Sequence, residues 1–190
     1  MIGAVILAAG EARRFGSPKQ LALLDGRPLL EHAVSVVCDV EVIAQVVVVL
    51  GARADEVEAG VQFGRAETVR CARWRDGMAA SLRAGADALR DSGVETLVVA
   101  VGDQPRLTRK AIEHVLGEPG DAVRASYGGT PGHPVVMRGR VLARLLESSV
   151  DIQGRTLVEG ATVVDISDRR SGADVDTPAD LAEQSSTSDL

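Results

Sequence analysis

Short β-branched runs alternate along this chain with stretches whose apolar positions recur at helical spacing. Ala4–Leu7, Val46–Leu50, Thr68–Cys71 and Leu97–Val101 are apolar or β-branched runs bounded by glycine or charge, and they read as strands. Between them, Leu29–Val37, Met78–Arg90 and the weaker Asp55–Val61 read as helices. Thr108 is placed to cap a helix through Leu116, because its hydroxyl can accept from a first-turn N–H. Ala122–Ser126 and Pro134–Met137 come next as strands, Arg140–Ser148 as a helix, Thr162–Asp165 as a strand, and Pro178 opens a last helix. Arg124–His133, rich in glycine, reads as an irregular or hairpin segment, either an active-site flap or a plain surface turn. This alternation predicts an α/β fold: one domain over residues 1–183, with a mostly parallel central sheet flanked by helices. Residues 184–190 are rich in serine and are expected to form a disordered tail.

Composition narrows the partners. Hydrophobic residues make up 45% of the 190-residue chain, enough for a substantial core, yet aromatics are only 2%, so the core is built from Val, Leu, Ala and Ile. A chain with so few rings offers no base-stacking platform, and its net charge of −6 repels phosphate backbones, so nucleic acid is not an expected partner. A small anion held by a few local cations is compatible with the same charge. Cys38 and Cys71 lack metal-ligand spacing and read as buried free thiols, which suits a reducing, cytoplasmic location. Met1 is followed at once by the apolar Ile2–Ala9 with no basic leader, so no signal peptide is expected, and no run is long enough to span a membrane.

The densest chemical signal is Leu7-Ala8-Ala9-Gly10, continuing through Arg14 and Gly16 to Lys19. An apolar strand runs into small residues whose N–H groups can approach phosphate oxygens, and the loop ends in cations. Arg14 can neutralise a triphosphate by its fork and Lys19 as a point charge. The loop lacks the Gly-Lys-Ser/Thr ending of a Walker A motif and the G-x-G-x-x-G of a dinucleotide site. Spacing alone also admits a tight turn with solvent-facing cations. Gly102-Asp103-Gln104-Pro105 puts a carboxylate just beyond an apolar strand, where ligands of open α/β sheets gather; it serves equally as the start of a turn. In Ala173-Asp174-Val175-Asp176-Thr177-Pro178, Thr177 is placed to cap a helix with Asp180 in its first turn. Trp74 and Met78 read as core residues, and His133 by itself as structural.

Taken together, these segments resemble the nucleotidyltransferase signature L-A-[AG]-G-x-x-x-R-x-G-x-x-K, and within it the molybdenum-cofactor nucleotidyltransferases, the MobA/MocA-like group. Pro18-Lys19-Gln20-Leu21, Gly102-Asp103-Gln104-Pro105 and Asp174-Val175-Asp176-Thr177-Pro178 continue the likeness in the expected order. Ala12 stands where many relatives carry Ser, and Phe15 where Met is common. The resemblance implies a Rossmann-like fold of the nucleotide-diphospho-sugar-transferase kind. It also implies a nucleotide site at Leu7, Ala8, Ala9, Gly10, Arg14, Gly16, Lys19, Gly77, Ser81 and Asp103. Arg14, Lys19 and Asp103 would be catalytic, and Asp103 and Asp176 would hold Mg²⁺, an ion that favours oxygen ligands shared with phosphates. Gly132-His133-Pro134 and Asp151-Ile152-Gln153-Gly154-Arg155 resemble the family's acceptor segments, assigning His133, Asp151 and Arg155 to the acceptor, although Val150 replaces a glycine of the second.

The implied reaction transfers a nucleoside monophosphate to a phosphorylated small molecule, by resemblance molybdopterin or its molybdenum form, with a molybdoenzyme as the client for the product. Ala9 in Leu-Ala-Ala-Gly, where guanylyl-transferring relatives carry glycine, favours CTP over GTP. Two rivals remain: an NAD(P)H-dependent oxidoreductase on a related α/β fold, and a non-catalytic nucleotide-binding chaperone for molybdoenzyme maturation.

Overall fold

The computed structural model describes residues 1–148 and 151–185. Its sheet is built from β1 (Ile2–Ala8), β4 (Ile43–Leu50), β5 (Glu67–Arg70), β6 (Thr96–Val101), β7 (Ala122–Tyr127), β8 (Thr130–Arg138) and β9 (Thr162–Asp165), in the order β5-β4-β1-β6-β8-β7-β9. Only β8 runs antiparallel to its neighbours, so the sheet is mostly parallel as the alternation predicts. A small hairpin, β2 (Leu23–Leu24) and β3 (Arg27–Pro28), stands apart, too short for periodicity to reveal. The helices are α1 (Leu29–Cys38), α2 (Ala54–Gly60), α3 (Met78–Ala88), α4 (Arg109–Gly117), α5 (Gly139–Glu147), α6 (Gly154–Leu157) and α7 (Pro178–Ser185).

Strand alternation sorts the core into two layers, because successive side chains point to opposite faces. Ala4, Ile6, Val48, Val98, Ala100, Val123 and Val136 face Leu30, Val34, Ile112 and Val115 of α1 and α4. The intervening Val5, Leu7, Val49, Leu97, Val99, Val135 and Met137 face Ala80, Leu82 and Ala86 of α3, Leu142 and Leu145 of α5, and Leu157 of α6. The central strands β1, β4 and β6 are apolar over most of their length, Gln45 and Thr96 near their starts excepted, because both faces are covered.

The segment 124–133 is a hairpin, closed by Gly128 and Gly129 at φ +61° and +85°, and its second strand begins at Thr130, ahead of the expected Pro134. The final helix runs to Ser185, so Gln184 and Ser185 are helical where a tail was expected; residues 186–190 lie outside the described residues, as does Val150.

Chain order makes β1 and β6 the topological switch. From β1 the chain moves outward to β4 and β5, then returns to place β6 on the other side of β1. The loops after two such strands diverge and leave a crevice at their carboxyl ends. Gly102 opens the β6 loop under tight constraint: a Cβ there would lie 2.6 Å from Leu30 Cδ1 and 3.1 Å from Ala8 Cβ.

The N-terminus of α4 provides a local test of stability. Thr108 Oγ1 accepts from Ala111 N at 3.2 Å, the cap expected from the sequence. Thr108→Ala is expected to cost about 1 kcal/mol in urea denaturation.

Candidate active site

The crevice between the β1 and β6 loops is a cavity of about 380 Å³. Leu7, Ala8, Ala9, Gly10, Arg14, Lys19, Gly77, Ser81, Asp103 and Asp176 all line it, so residues from four distant stretches of chain converge. Gly16 does not line it; it turns the loop at φ +79°, and its N–H donates to Ala12 O. Gly77 adopts φ +103° just before α3, which brings that helix N-terminus to the cavity with Ser81 one turn inside.

At the centre, Lys19 Nζ donates to Asp103 Oδ2 at 2.7 Å and to Asp176 Oδ1 at 3.0 Å, while Arg14 Nη2 donates to Asp176 Oδ2 at 2.7 Å. The two cations differ in setting: the Lys19 side chain is 13% exposed and that of Arg14 71%. Burial works to lower the Lys19 pKa, but Asp103 and Asp176 outweigh it and the pKa is raised. The Lys19 hydrogen bond, with Arg14 adding to it, holds the Asp176 carboxyl below its usual range.

This geometry is braced from behind. Gln20, 4% exposed, donates through Nε2 to Ala8 O at 2.8 Å and Gly10 O at 3.1 Å, fixing the loop stem. Val175 N donates to Asp103 O at 2.9 Å, and the Val175 side chain is fully buried against Leu24 and Leu29. Asp180 accepts from Asp176 N and Thr177 N, and Thr177 Oγ1 accepts from Asp180 N, a reciprocal cap that fixes the backbone carrying Asp176. Gln104, 2% exposed, donates to Asp174 Oδ1 at 2.8 Å and Gly172 O at 3.2 Å, tying the β6 loop to the same closing segment. Burial raises the Asp174 pKa, and the Asp103 charge adds to the rise.

A second cavity, of about 790 Å³, adjoins the first and shares Leu7 and Met78 with it. His133 and Arg155 line it. Burial lowers the His133 pKa to about 4, with the Arg124 charge contributing and Asp103 opposing, so the imidazole is neutral at physiological pH. Asp151 is not on the wall of this cavity; its carboxylate accepts from Arg73 Nη2 at 2.9 Å. Met78, read as core, is 56% exposed at the border of the two cavities, and Trp74 lines the first while packing on the core. Sequence reasoning missed Gln20 as a brace and Arg124 on the second cavity; the second left a trace, a lone charge inside an apolar strand.

Among the described residues, no group of three or more His, Cys, Asp or Glu is arranged to hold a metal. Asp103 and Asp176 nevertheless converge on one cation, which gives two hard oxygen donors with room for phosphate oxygens to complete a shell. That donor set fits a divalent ion shared with a nucleotide. No described helix is long and apolar enough to cross a membrane.

A mostly parallel sheet with a cation-bearing loop at its switch point, one acid in the loop after the adjacent strand and another just before the last helix has the layout of a nucleotide-binding α/β protein. Residues 4–166 match the MobA-like NTP transferase domain, and the chain belongs to that nucleotidyltransferase family. The chain is 31% identical over 191 residues to nicotine blue oxidoreductase of Paenarthrobacter nicotinovorans, an alignment covering 91% of each protein. Its fold is similar to that of a homologue of Mycobacterium tuberculosis Rv0371c from Mycobacterium sp. strain JC1 (TM-score 0.77, 28% identity, 96% of each chain). It is also similar to Rv0371c of Mycobacterium tuberculosis in complex with manganese (TM-score 0.76, 25% identity, 98% of each chain).

The Lys19 network predicts a pH profile. Asp176, with its pKa depressed by folding, contributes stability that is present above its unfolded value of about 4 and lost as pH falls through the folded one. Lys19, with its pKa raised, contributes stability that is present below its unfolded value of about 10.4 and lost as pH rises through the folded one. Lys19→Ala leaves two carboxylates facing each other. It should cost the ligand-free protein about 1–2 kcal/mol, less than a fully buried pair because Asp176 remains partly open to solvent. It should also raise the Asp176 pKa. Urea denaturation across pH and carboxylate NMR titration check both; no change in either would show that the ion pairs contribute nothing.

Proposed function

We propose that this protein is a magnesium-dependent nucleotidyltransferase that transfers CMP from CTP to a phosphorylated acceptor of the molybdopterin type, releasing pyrophosphate in the cytoplasm. The observation that carries the reading is Lys19 bridging Asp103 and Asp176 at the mouth of the glycine-rich loop, with Arg14 on the outer carboxylate.

An acceptor phosphate oxygen attacks the α-phosphorus in line, the bond to the bridging oxygen breaks, and pyrophosphate leaves with the electron pair. Such a transfer depends on positioning and charge neutralisation and needs no protein nucleophile. Asp103 and Asp176 would hold Mg²⁺, which when bound neutralises charge on the triphosphate and its leaving group. Lys19, once the carboxylates have another cation to serve, is free to pair with phosphate oxygens, and exposed Arg14 reaches them from the loop. The small residues Ala8, Ala9 and Gly10 let the backbone approach the nucleotide. The second cavity, continuous with the first along Leu7 and Met78, suits an acceptor arriving opposite the leaving group.

Ala9 supports CTP over GTP. Ala9 is a lining residue of the nucleotide cavity, and one methyl group of lost room is worth about 1–3 kcal/mol, or roughly 10- to 200-fold, against a larger base. Delivery of the product to a molybdoenzyme client belongs to the same reading. A second reading, an NAD(P)H-dependent oxidoreductase, is favoured by the likeness to nicotine blue oxidoreductase across nearly the whole chain. Pyrophosphate release from CTP with a molybdopterin acceptor supports transfer; reduced-nicotinamide oxidation without pyrophosphate release supports the redox reading. Nucleotide binding with neither reaction supports the chaperone.

Asp103→Asn keeps the shape of the side chain and removes the charge that holds the ion. It should leave the circular dichroism spectrum unchanged and remove most pyrophosphate release; near-parental turnover would exclude Asp103 as a metal ligand. Under matched magnesium and acceptor, kcat/KM should be higher for CTP than for GTP, with Ala9→Gly narrowing the gap. Equal use of both nucleotides by the parent removes the base assignment only.

A further inference from the structure

Among the described residues, Arg124 in the second cavity has a buried side-chain nitrogen with no hydrogen-bond partner. Arg124 lies on β7 between Val123 and Ala125, which are fully buried on the α1–α4 face of the sheet. Strand alternation therefore sends Arg124 to the opposite face, where its register partner Val135 packs. There it lines the second cavity with His133, Val135, Met137 and Arg155. Among the described residues no carboxylate pairs with Arg124, and its Nε is buried without any hydrogen-bond partner. Arg124 is itself only partly buried, but leaving its buried Nε–H unpaired costs free energy that an anion in the cavity would recover.

The surroundings specify the anion further. Among the described residues no Asp or Glu lines this cavity, although acids outnumber bases in the chain 27 to 21. The cavity thus presents two guanidinium groups, Arg124 and the exposed Arg155, together with His133 of β8. The rest of the wall is mixed, with apolar Leu82, Val99, Val135, Met137 and Val158 on one part and polar Gln153 and Thr156 beside Arg155 on another. A ligand that suits this wall has a compact anionic group accepting several N–H donors, as a phosphate monoester does, and a body with an apolar side for Leu82, Val99, Val135 and Met137.

We propose that Arg124 is the anion-binding residue of the acceptor cavity, holding the phosphate monoester of an acceptor whose apolar body lies along Leu82, Val99, Val135 and Met137. The fate of the bound acceptor rests on the nucleotidyltransferase reading, but binding itself is independent of turnover. A guanidinium against the monoester also lowers its second pKa, ordinarily about 6, so the phosphate is presented as the dianion and its attacking oxygen needs no general base.

Phenyl phosphate is a suitable probe, with benzoate as the carboxylate and phenol as the uncharged control. Each is titrated calorimetrically into the parent, Arg124→Gln and Arg124→Lys, with CTP titrated in parallel. The parent should bind phenyl phosphate in preference to benzoate. Arg124→Gln should weaken phenyl phosphate by about 10- to 100-fold while leaving phenol and CTP unchanged. Arg124→Lys, which keeps the charge without the fork, should lose less. Parental affinity for phenyl phosphate in Arg124→Gln overturns the proposal, as does equal weakening of CTP, a preference for benzoate, or no binding of phenyl phosphate to the parent. If Arg124→Gln does not fold, undiminished binding by Arg124→Lys overturns it instead. Absence of pyrophosphate release from CTP would count against the transferase reading alone, leaving the phenyl phosphate result intact.

Discussion

Two carboxylates brought to a common point repel each other, and a fold that juxtaposes them must supply a cation or lose stability. Here Lys19 supplies it, bridging Asp103 and Asp176 at 2.7 and 3.0 Å. Each member comes from a different loop, so the ion pairs also hold the loop after β1, the loop after β6 and the segment before α7 in register. Much of the surrounding hydrogen bonding serves that register. Gln20 fixes the stem of the first loop, Val175 joins the second to the third, and the Thr177–Asp180 cap locks the backbone that carries Asp176. The arrangement is charge-balanced locally yet composed of the groups that a metal–triphosphate pair would recruit.

The two cavities divide the electrostatic work. The first pairs acids with cations and so can exchange an internal counter-ion for a metal and phosphates. Among the described residues the second has arginines and no acids along a wall of mixed apolar and polar side chains. Since the chain as a whole carries a net charge of −6, the cationic character of the second cavity is a local property set by which residues the sheet turns inward. Leu7 and Met78 line both cavities and form their shared boundary.

Sequence determined the α/β layering because buried parallel strands and amphipathic helices leave separate periodic traces, and Thr108 and Thr177 announced their helices by cap chemistry. It also marked Arg14, Lys19, Asp103 and Asp176, since a glycine-rich loop and two short acidic motifs are local patterns with fixed spacing. Tertiary structure alone decided how these residues relate. Lys19 reads as a surface cation until residues 84 and 157 positions away bury it between carboxylates. Asp151 belonged to an acceptor segment by resemblance, yet Arg73 lies close enough to take it. Met78 has the spacing of a core residue and the exposure of a cavity lip, and Arg124 acquires its meaning only from the strand register that turns it into the second cavity. Local patterns arise from bonds between neighbours in sequence; charge pairing and cavity walls arise from which distant loops the sheet order brings together.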